Sequence, residues 1–424
     1  MSERSVIPES LSSTRMSMER RHFLKGMLSI GALEGLFGLS GSMKHLGAIA
    51  SPLADDKKFL VTIALDGGND HLNTLIPWND GVYHDKRPLL TVPVSDAQLV
   101  GEGLYLHPNL SNLKSFYDSG NLALIRGVGH AADDRSHFSS MARWMTGTED
   151  LATGTGWLGR FKDGSDLGQF GTVAIGRTGI PKILDGPKSS GIVLPPYGQI
   201  SLFRSWREDG WEPAWNALRD FEMAQAGNGA LQSEIAKSLR LTAETGDLVS
   251  PIYGIEAGAP GGFVNDLLVA ADILNLNIGT QVVHAGLRGF DTHDRQKGTH
   301  DLLLSELDTA IGNFFANLFP SVRENTAVLI FSEFGRRVAQ NESGTDHGTA
   351  GLVMLLGDRV RGGLHGVQPS LRRLDSRGDL HHEVDFRSIY ASVISQWLGA
   401  DPEEILGRDF GQLLLFDSPR AFLW

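Results

Sequence analysis

Short apolar runs ending in glycine or an acid recur along the chain: Phe59–Leu65, Leu122–Ile125, Gln281–Ala285, Ala327–Phe331 and Leu352–Leu356. Runs of this length, bounded by turn residues, read as strands. Between them the apolar positions take a helical period. From Asp301 to Leu318, the residues Leu303, Leu304, Leu307, Ile311, Phe314, Phe315 and Leu318 form one stripe, which Pro320 stops. Phe386–Leu398 repeats the pattern with Ile389, Val393, Ile394 and Trp397, after Asp385 as an N-cap. Strands alternating with amphipathic helices predict an α/β fold with a largely parallel sheet flanked by helices, and such sheets place ligands at the carboxyl ends of their strands.

Two stretches depart from this rhythm. Residues 150–260 contain Gly-rich loops around Gly154–Gly168, a Leu194-Pro195-Pro196 break and a helical stretch from about Pro213 to Leu241, and are expected to be an insertion or cap over the sheet. At the N-terminus, Arg20-Arg21-His22-Phe23-Leu24-Lys25 precedes a small, apolar stretch from Gly26 to Gly41, interrupted by Glu34, and then Ala48-Ile49-Ala50. This resembles a twin-arginine export signal with its cleavage site, which makes 1–50 a signal peptide and 51–424 the mature domain. The resemblance implies passage through the twin-arginine translocase, already folded, to a periplasmic or secreted location. No later run reaches the ~20 apolar residues of a membrane span, so no stable span is expected.

Composition narrows the chemistry. Residues 1–50 carry six Lys/Arg and four Asp/Glu, so 32 basic and 46 acidic residues remain beyond them, a formal charge of −14. With no basic cluster along the sequence, nucleic acid is not an expected partner. The absence of cysteine excludes disulfides, thiolate catalysis and Cys-ligated metal. The 51 glycines point to many tight turns and backbone-lined sites.

Polar clusters stand where the strand runs end. They are Asp66-Gly67-Gly68-Asn69-Asp70, Gly289-Phe290-Asp291-Thr292-His293 and Ser332-Glu333-Phe334-Gly335-Arg336, and a fourth, Gly344-Thr345-Asp346-His347-Gly348, precedes the Leu352 run. Carboxylates and imidazoles at one sheet edge are what a thiolate-free site for one or two divalent ions requires, whether zinc, manganese, magnesium or calcium. Each cluster alone also reads as a turn: Asp66-Gly67-Gly68 as an Asp-capped turn, Asp291-Thr292-His293 as an Asx turn, Asp346-His347 as a surface pair. Glu333 differs, because a carboxylate directly after an apolar strand is costly to bury unless paired or metal-bound. The stretch Asp133-Asp134-Arg135-Ser136-His137-Phe138-Ser139-Ser140 opens a helical run, so its hydroxyls read either as helix caps or as a nucleophile beside an anion-stabilising helix end.

Taken together, Gly67-Gly68-Asn69-Asp70-His71-Leu72-Asn73-Thr74 with Pro77, Arg135-Ser136-His137-Phe138, Gly289-Phe290-Asp291-Thr292-His293, Ser332-Glu333-Phe334-Gly335-Arg336 and Gly344-Thr345-Asp346-His347-Gly348 resemble the exported family of domain of unknown function 1501. That family is grouped with the alkaline phosphatase and sulfatase superfamily. The resemblance implies a three-layer alkaline-phosphatase-like core and a metal-dependent hydrolase of phosphate or sulfate esters, acting on an anionic small molecule or carbohydrate ester. It also implies site roles. Asp66, or Asp70, matches the metal-binding Asp that closes the superfamily's first strand, and Asp291 with His293 matches a later Asp and His at a shorter spacing. Glu333-Phe334, 42 residues after Asp291, stands where the superfamily has a metal-binding pair, and His347 beside Asp346 replaces the last metal-binding His. A second register aligns Asp346-His347 with that pair and makes His365 the last ligand. Counting back from Thr146-Gly147, the nucleophile position lands on His137, next to Ser136. Arg135 or Arg336 would clamp the anion by bidentate hydrogen bonds. The alternatives are a non-catalytic exported protein that uses the same metal-bound face to bind carbohydrate or a partner, and a phosphomutase or other transferase.

Overall fold

All five apolar runs are strands of one sheet, and four of them run in the same direction. In this computed structural model, residues 57–165, 167–176, 179–196, 229, 249, 252 and 262–417 are described. Their strands are β1 (Phe59–Asp66), β2 (Leu75–Ile76), β3 (Gln98–Gly101), β4 (Leu104–Leu106), β5 (Leu122–Gly129), β6 (Thr172–Ile175), β7 (Ile192–Leu194), β8 (Val282–Arg288), β9 (Thr326–Phe331), β10 (Arg336–Gln340), β11 (Thr345–His347), β12 (Gly351–Leu356), β13 (Gly363–His365) and β14 (Val384–Asp385). The main sheet has the order β13-β5-β12-β9-β1-β8-β6-β7, with β14 beside β5. β1 pairs in parallel with β8 and β9, while β12 runs antiparallel to both β9 and β5, which restores β5 to the direction of β1. The carboxyl ends of β1, β5, β8 and β9 therefore share one edge of the sheet. The two other sheets are small: β2, β4 and β3 form one, and β10 and β11 form an antiparallel hairpin.

Both faces of the sheet are covered, which is why its central strands show unbroken apolar runs. Leu60 and Ala64 of β1 face a cluster with Trp144, Trp157, Phe386, Tyr390 and Trp397. The alternate positions Val61, Ile63 and Leu65 turn to the opposite face and are buried as well. Helices Phe263–Asn275 and Gln296–Asn317 pack together, and the first of them also packs on β8 and β6. The Leu304–Phe315 stripe is buried as its period predicts, although the helix starts at Gln296, earlier than expected. The Phe386 helix is capped by the Asp385 side chain, which accepts from the Arg387 N–H at 2.9 Å, and it continues as a wider π-helical turn over Val393–Trp397.

The expected insertion over 150–260 is altered at its start. Residues Thr172–Ile175 and Ile192–Leu194 are β6 and β7, parallel members of the main sheet, because each supplies a short apolar strand to the edge beside β8. Of the helical stretch expected from about Pro213 to Leu241 only Gly229 is described, exposed and with a φ of 104° that does not fit a helix, and the 1–50 segment lies outside the described residues. No helix of the described residues is long and apolar enough to cross a membrane.

Candidate metal centre

Three imidazoles meet at one carboxylate oxygen at the shared strand edge. Asp291 follows β8, and its Oδ1 lies 3.3 Å from His137 Nε2, 3.0 Å from His293 Nε2 and 3.1 Å from His347 Nε2. The Nε2 atoms of His293 and His347 are 2.9 Å apart. The ligand atoms of His137, Asp291 and His347 all lie within 4.8 Å of one another, and this is the one such group among the described residues.

The opposite ring nitrogens explain why these atoms matter. His137 Nδ1 faces Glu333 Oε1 at 2.7 Å, His293 Nδ1 faces Asp346 Oδ1 at 3.3 Å, and His347 Nδ1 faces the Arg135 carbonyl at 2.9 Å. A ring nitrogen against an oxygen acceptor carries the proton, a tautomer assigned here from its partner. Each ring then turns its Nε2 toward Asp291, where it either donates to the carboxylate or offers a lone pair to a cation. Lone pairs converging on a carboxylate repel unless a proton or a cation lies among them. Metal-ligating histidines show this arrangement, with the far N–H donated to a carboxylate or carbonyl.

Electrostatics accord with it. Burial pushes the Asp291 carboxyl up, but hydrogen bonds from Arg336 and His347 outweigh that and hold it well below the usual carboxylate range. His347 is lowered by burial, which favours the neutral ligand form. His137 is raised, chiefly by its hydrogen bond to Glu333 and also by Asp291 on its other side, which favours the doubly protonated ring when no ion is bound. Tetrahedral coordination at zinc–nitrogen lengths separates ligand atoms by about 3.3 Å. Asp291 Oδ1 stands 3.0–3.3 Å from the three Nε2 atoms, close to that, and the ligand atoms of His137, Asp291 and His347 lie within 4.8 Å of one another, so these three can share one ion with His293 beside them. The donor set therefore fits a divalent ion.

Glu333 stands behind His137. It is 2% exposed, and beyond His137 it accepts the Gly67 N–H at 2.9 Å and the Ser332 hydroxyl at 3.0 Å. Its oxygens are committed to holding the ring. Arg336 is fully buried and gives its N–H groups to the carbonyls of Gly67, Gly68, Phe290 and Thr345 and to Asp291. That corrects the expectation of an anion clamp: its donors are consumed in joining the β1 turn, the Asp291 loop and the β10–β11 hairpin.

Asp70 is also displaced from its expected role. Its carboxylate lies in a buried pair with Arg87 at 2.6 Å and accepts from Gln296, because the helix His71–Thr74 begins directly after it and turns the side chain inward. Burial raises its pKa, but Arg87 more than offsets this and holds it at about 2. Asp66 remains at the edge without joining the cluster. Its carboxylate is 3.7 Å from Arg288, its register partner on β8, and burial, then the charge of Glu333, raises its pKa to about 6. Arg288 escaped the sequence reading, although its position closing β8 opposite Asp66 was a signal. His365 lies on β13 and bonds the Arg361 carbonyl, away from these residues.

Ser136 is the N-cap residue of helix His137–Thr146, yet its side chain makes no cap hydrogen bond. Among the described residues its hydroxyl makes no hydrogen bond. Arg135 has a left-handed φ of 59°, which aims its carbonyl at His347, while its side chain turns to Asp379 at 3.5 Å.

Residues 132–414 match the family described as "Protein of unknown function (DUF1501)". The chain belongs to the DUF1501 family. No curated protein matches this DUF1501 chain in sequence. Solved structures with similar folds include Ps i-CgsB in complex with k-i-k-neocarrahexaose, at 14% identity over 84% of this chain and 75% of that one, with a TM-score of 0.41. The alkaline phosphatase from the Antarctic bacterium TAB5 matches at 11% identity over 73% and 94%, TM-score 0.36. PsFucS1 sulfatase from Pseudoalteromonas sp. matches at 12% over 82% and 68%, TM-score 0.34.

Proposed function

We propose that this DUF1501 protein is an exported, metal-dependent hydrolase of phosphate or sulfate esters. The observation that carries the reading is the convergence of His137, His293 and His347 through Nε2 on Asp291, each with its Nδ1 tied to an oxygen. His137, Asp291 and His347, with His293 beside them, would hold the ion. Three imidazoles and a carboxylate suit zinc or manganese better than magnesium or calcium, which prefer oxygen ligands. When bound, the ion supplies Lewis-acid stabilisation of non-bridging oxygens and a lowered pKa for a nucleophilic hydroxyl or water.

The chain's own residues do the rest. Glu333 and Asp346 fix the rings of His137 and His293, and the Arg135 carbonyl fixes that of His347. Asp291 stays anionic through the charge and hydrogen bond of Arg336. Ser136 offers a free hydroxyl where the N–H end of a ten-residue helix favours developing negative charge. The commitment of Arg336 elsewhere favours the second reading, a metal-binding protein without turnover.

Purified protein is assayed for bound metal and for hydrolysis of an aryl phosphate and an aryl sulfate, with and without chelator. Stoichiometric metal and chelator-sensitive release of one anion are expected. Metal without turnover would leave the binding protein, and phosphate passed to an acceptor would indicate a transferase. Export is tested by changing Arg20-Arg21 to Lys-Lys, which is expected to retain the protein in the cytoplasm.

A further inference from the structure

Three arginines from distant parts of the chain share one buried carboxylate beside the metal centre. Asp379 is 0% exposed. Its Oδ1 takes Arg337 Nε at 3.2 Å, while its Oδ2 faces Arg135 Nη1 at 3.5 Å and Arg377 Nε at 3.7 Å and makes no hydrogen bond. Asp375 adds a second carboxylate, 3.3 Å from Arg377 Nε, and Arg377 also reaches the Asp133 carbonyl. Three guanidinium groups thus stand against two carboxylates. Asp133, the next acid, is itself buried, and its Oδ1 accepts the Arg135 backbone N–H and the Ser140 hydroxyl. The Arg135 side chain makes no hydrogen bond among the described residues, and all three arginines are partly open to solvent.

This clustering of guanidinium groups is local in a chain of net charge −12, and it adjoins the candidate centre twice. The Arg135 carbonyl holds His347, and Arg337 follows Arg336, which holds Asp291. A guanidinium with free donors and a fixed carboxylate behind it is pre-set for a planar or tetrahedral oxyanion. We propose that Arg135, Arg337 and Arg377 form a subsite for a second oxyanion on the substrate, so that the preferred ester carries a further sulfate, phosphate or carboxylate near the one at the centre. The proposal rests on the hydrolase reading for the word substrate, but its binding step does not.

The test is therefore binding to the full chain after chelator treatment, where no hydrolysis occurs. A disulfated disaccharide is titrated against its monosulfated counterpart, with the bisphosphorylated sugar in a third arm. The ligands with two oxyanions are expected to bind about tenfold tighter than those with one, the worth of one charge-assisted hydrogen-bond pair. Added salt is expected to narrow the gap, and with a monophosphorylated sugar as the bisphosphate's counterpart, the class that gains more from its second group identifies sulfate or phosphate. Arg337→Gln with Arg377→Gln is expected to abolish the preference, while Arg372→Gln, at an exposed arginine paired with Asp80, keeps it. Equal affinity of the mono- and disulfated sugars for the unaltered protein overturns the proposal, as does a preference that survives the double substitution in folded protein. If the preference stands but the metal-loaded protein cleaves neither ester, the hydrolase reading alone is refuted.

Discussion

Glu333 illustrates how a single side chain sets the chemistry of its neighbours. Its buried carboxylate fixes the His137 tautomer without itself facing Asp291, and outer partners of this kind are typically worth 10–100-fold in metal affinity. Glu333→Gln is accordingly expected to weaken zinc or manganese binding by about that factor with little change in fold, checked by competition with a chromophoric chelator. Asp70 acts on stability instead. Asp70→Ala leaves Arg87 charged and buried, so a loss of about 3–5 kcal/mol is expected in denaturant unfolding, with bound metal retained in the folded fraction. The sign with pH is fixed by its folded pKa of about 2, below the unfolded value. Its contribution is complete above the unfolded value near pH 4 and is lost as pH falls toward 2.

At the scale of elements, the site depends on how closely three turns approach. Gly67, with φ of 119°, has no room for a side chain: a Cβ would collide with the Asp291 backbone nitrogen and lie 2.8 Å from the Phe290 carbonyl carbon. Gly344 is likewise pressed against the backbone of Thr292 and His293. Gly67→Ala and Gly344→Ala are expected to lower stability by about 1–3 kcal/mol and to weaken metal binding as well, whereas Gly81→Ala, in open space, does neither. Thermal melts with and without added metal separate the two effects. The strands were legible in the sequence because both sheet faces are covered, and the polar motifs were legible because they close those strands. Roles within the motifs were not, since they depend on side-chain direction. Asp70 and Asp66 stand four residues apart on one turn, and only the helix start at His71 decides which of them is turned inward. The cluster of Arg135, Arg337 and Arg377 was invisible because its members are far apart in sequence.

For the molecule as a whole, buried histidines dominate the response to acid. His71, His130, His284 and His300 are each lowered to about 4 by burial, so the unfolded chain binds their protons first. Each makes stability fall by up to roughly 1.4 kcal/mol per pH unit as pH drops from the ordinary histidine range toward 4. Asp66 and Asp133, raised to about 6, work the other way, but they are two groups against four. Stability measured by denaturant titration is expected to decline steadily below pH 6.5, and replacing His284, which bonds Thr62 inside the sheet, with Gln is expected to flatten that decline.

Arg336 carries one more implication. It bonds to backbone at Gly67, Gly68, Phe290 and Thr345, positions spread over most of the chain, so the pocket geometry has no precursor in a partly synthesised polypeptide. A ribosome-bound chain that has emerged only to residue 340 holds His137, Asp291 and His293 but neither Asp346 nor His347. If the centre holds an ion as proposed, its uptake follows the emergence of His347 and the closing of the β10–β11 hairpin.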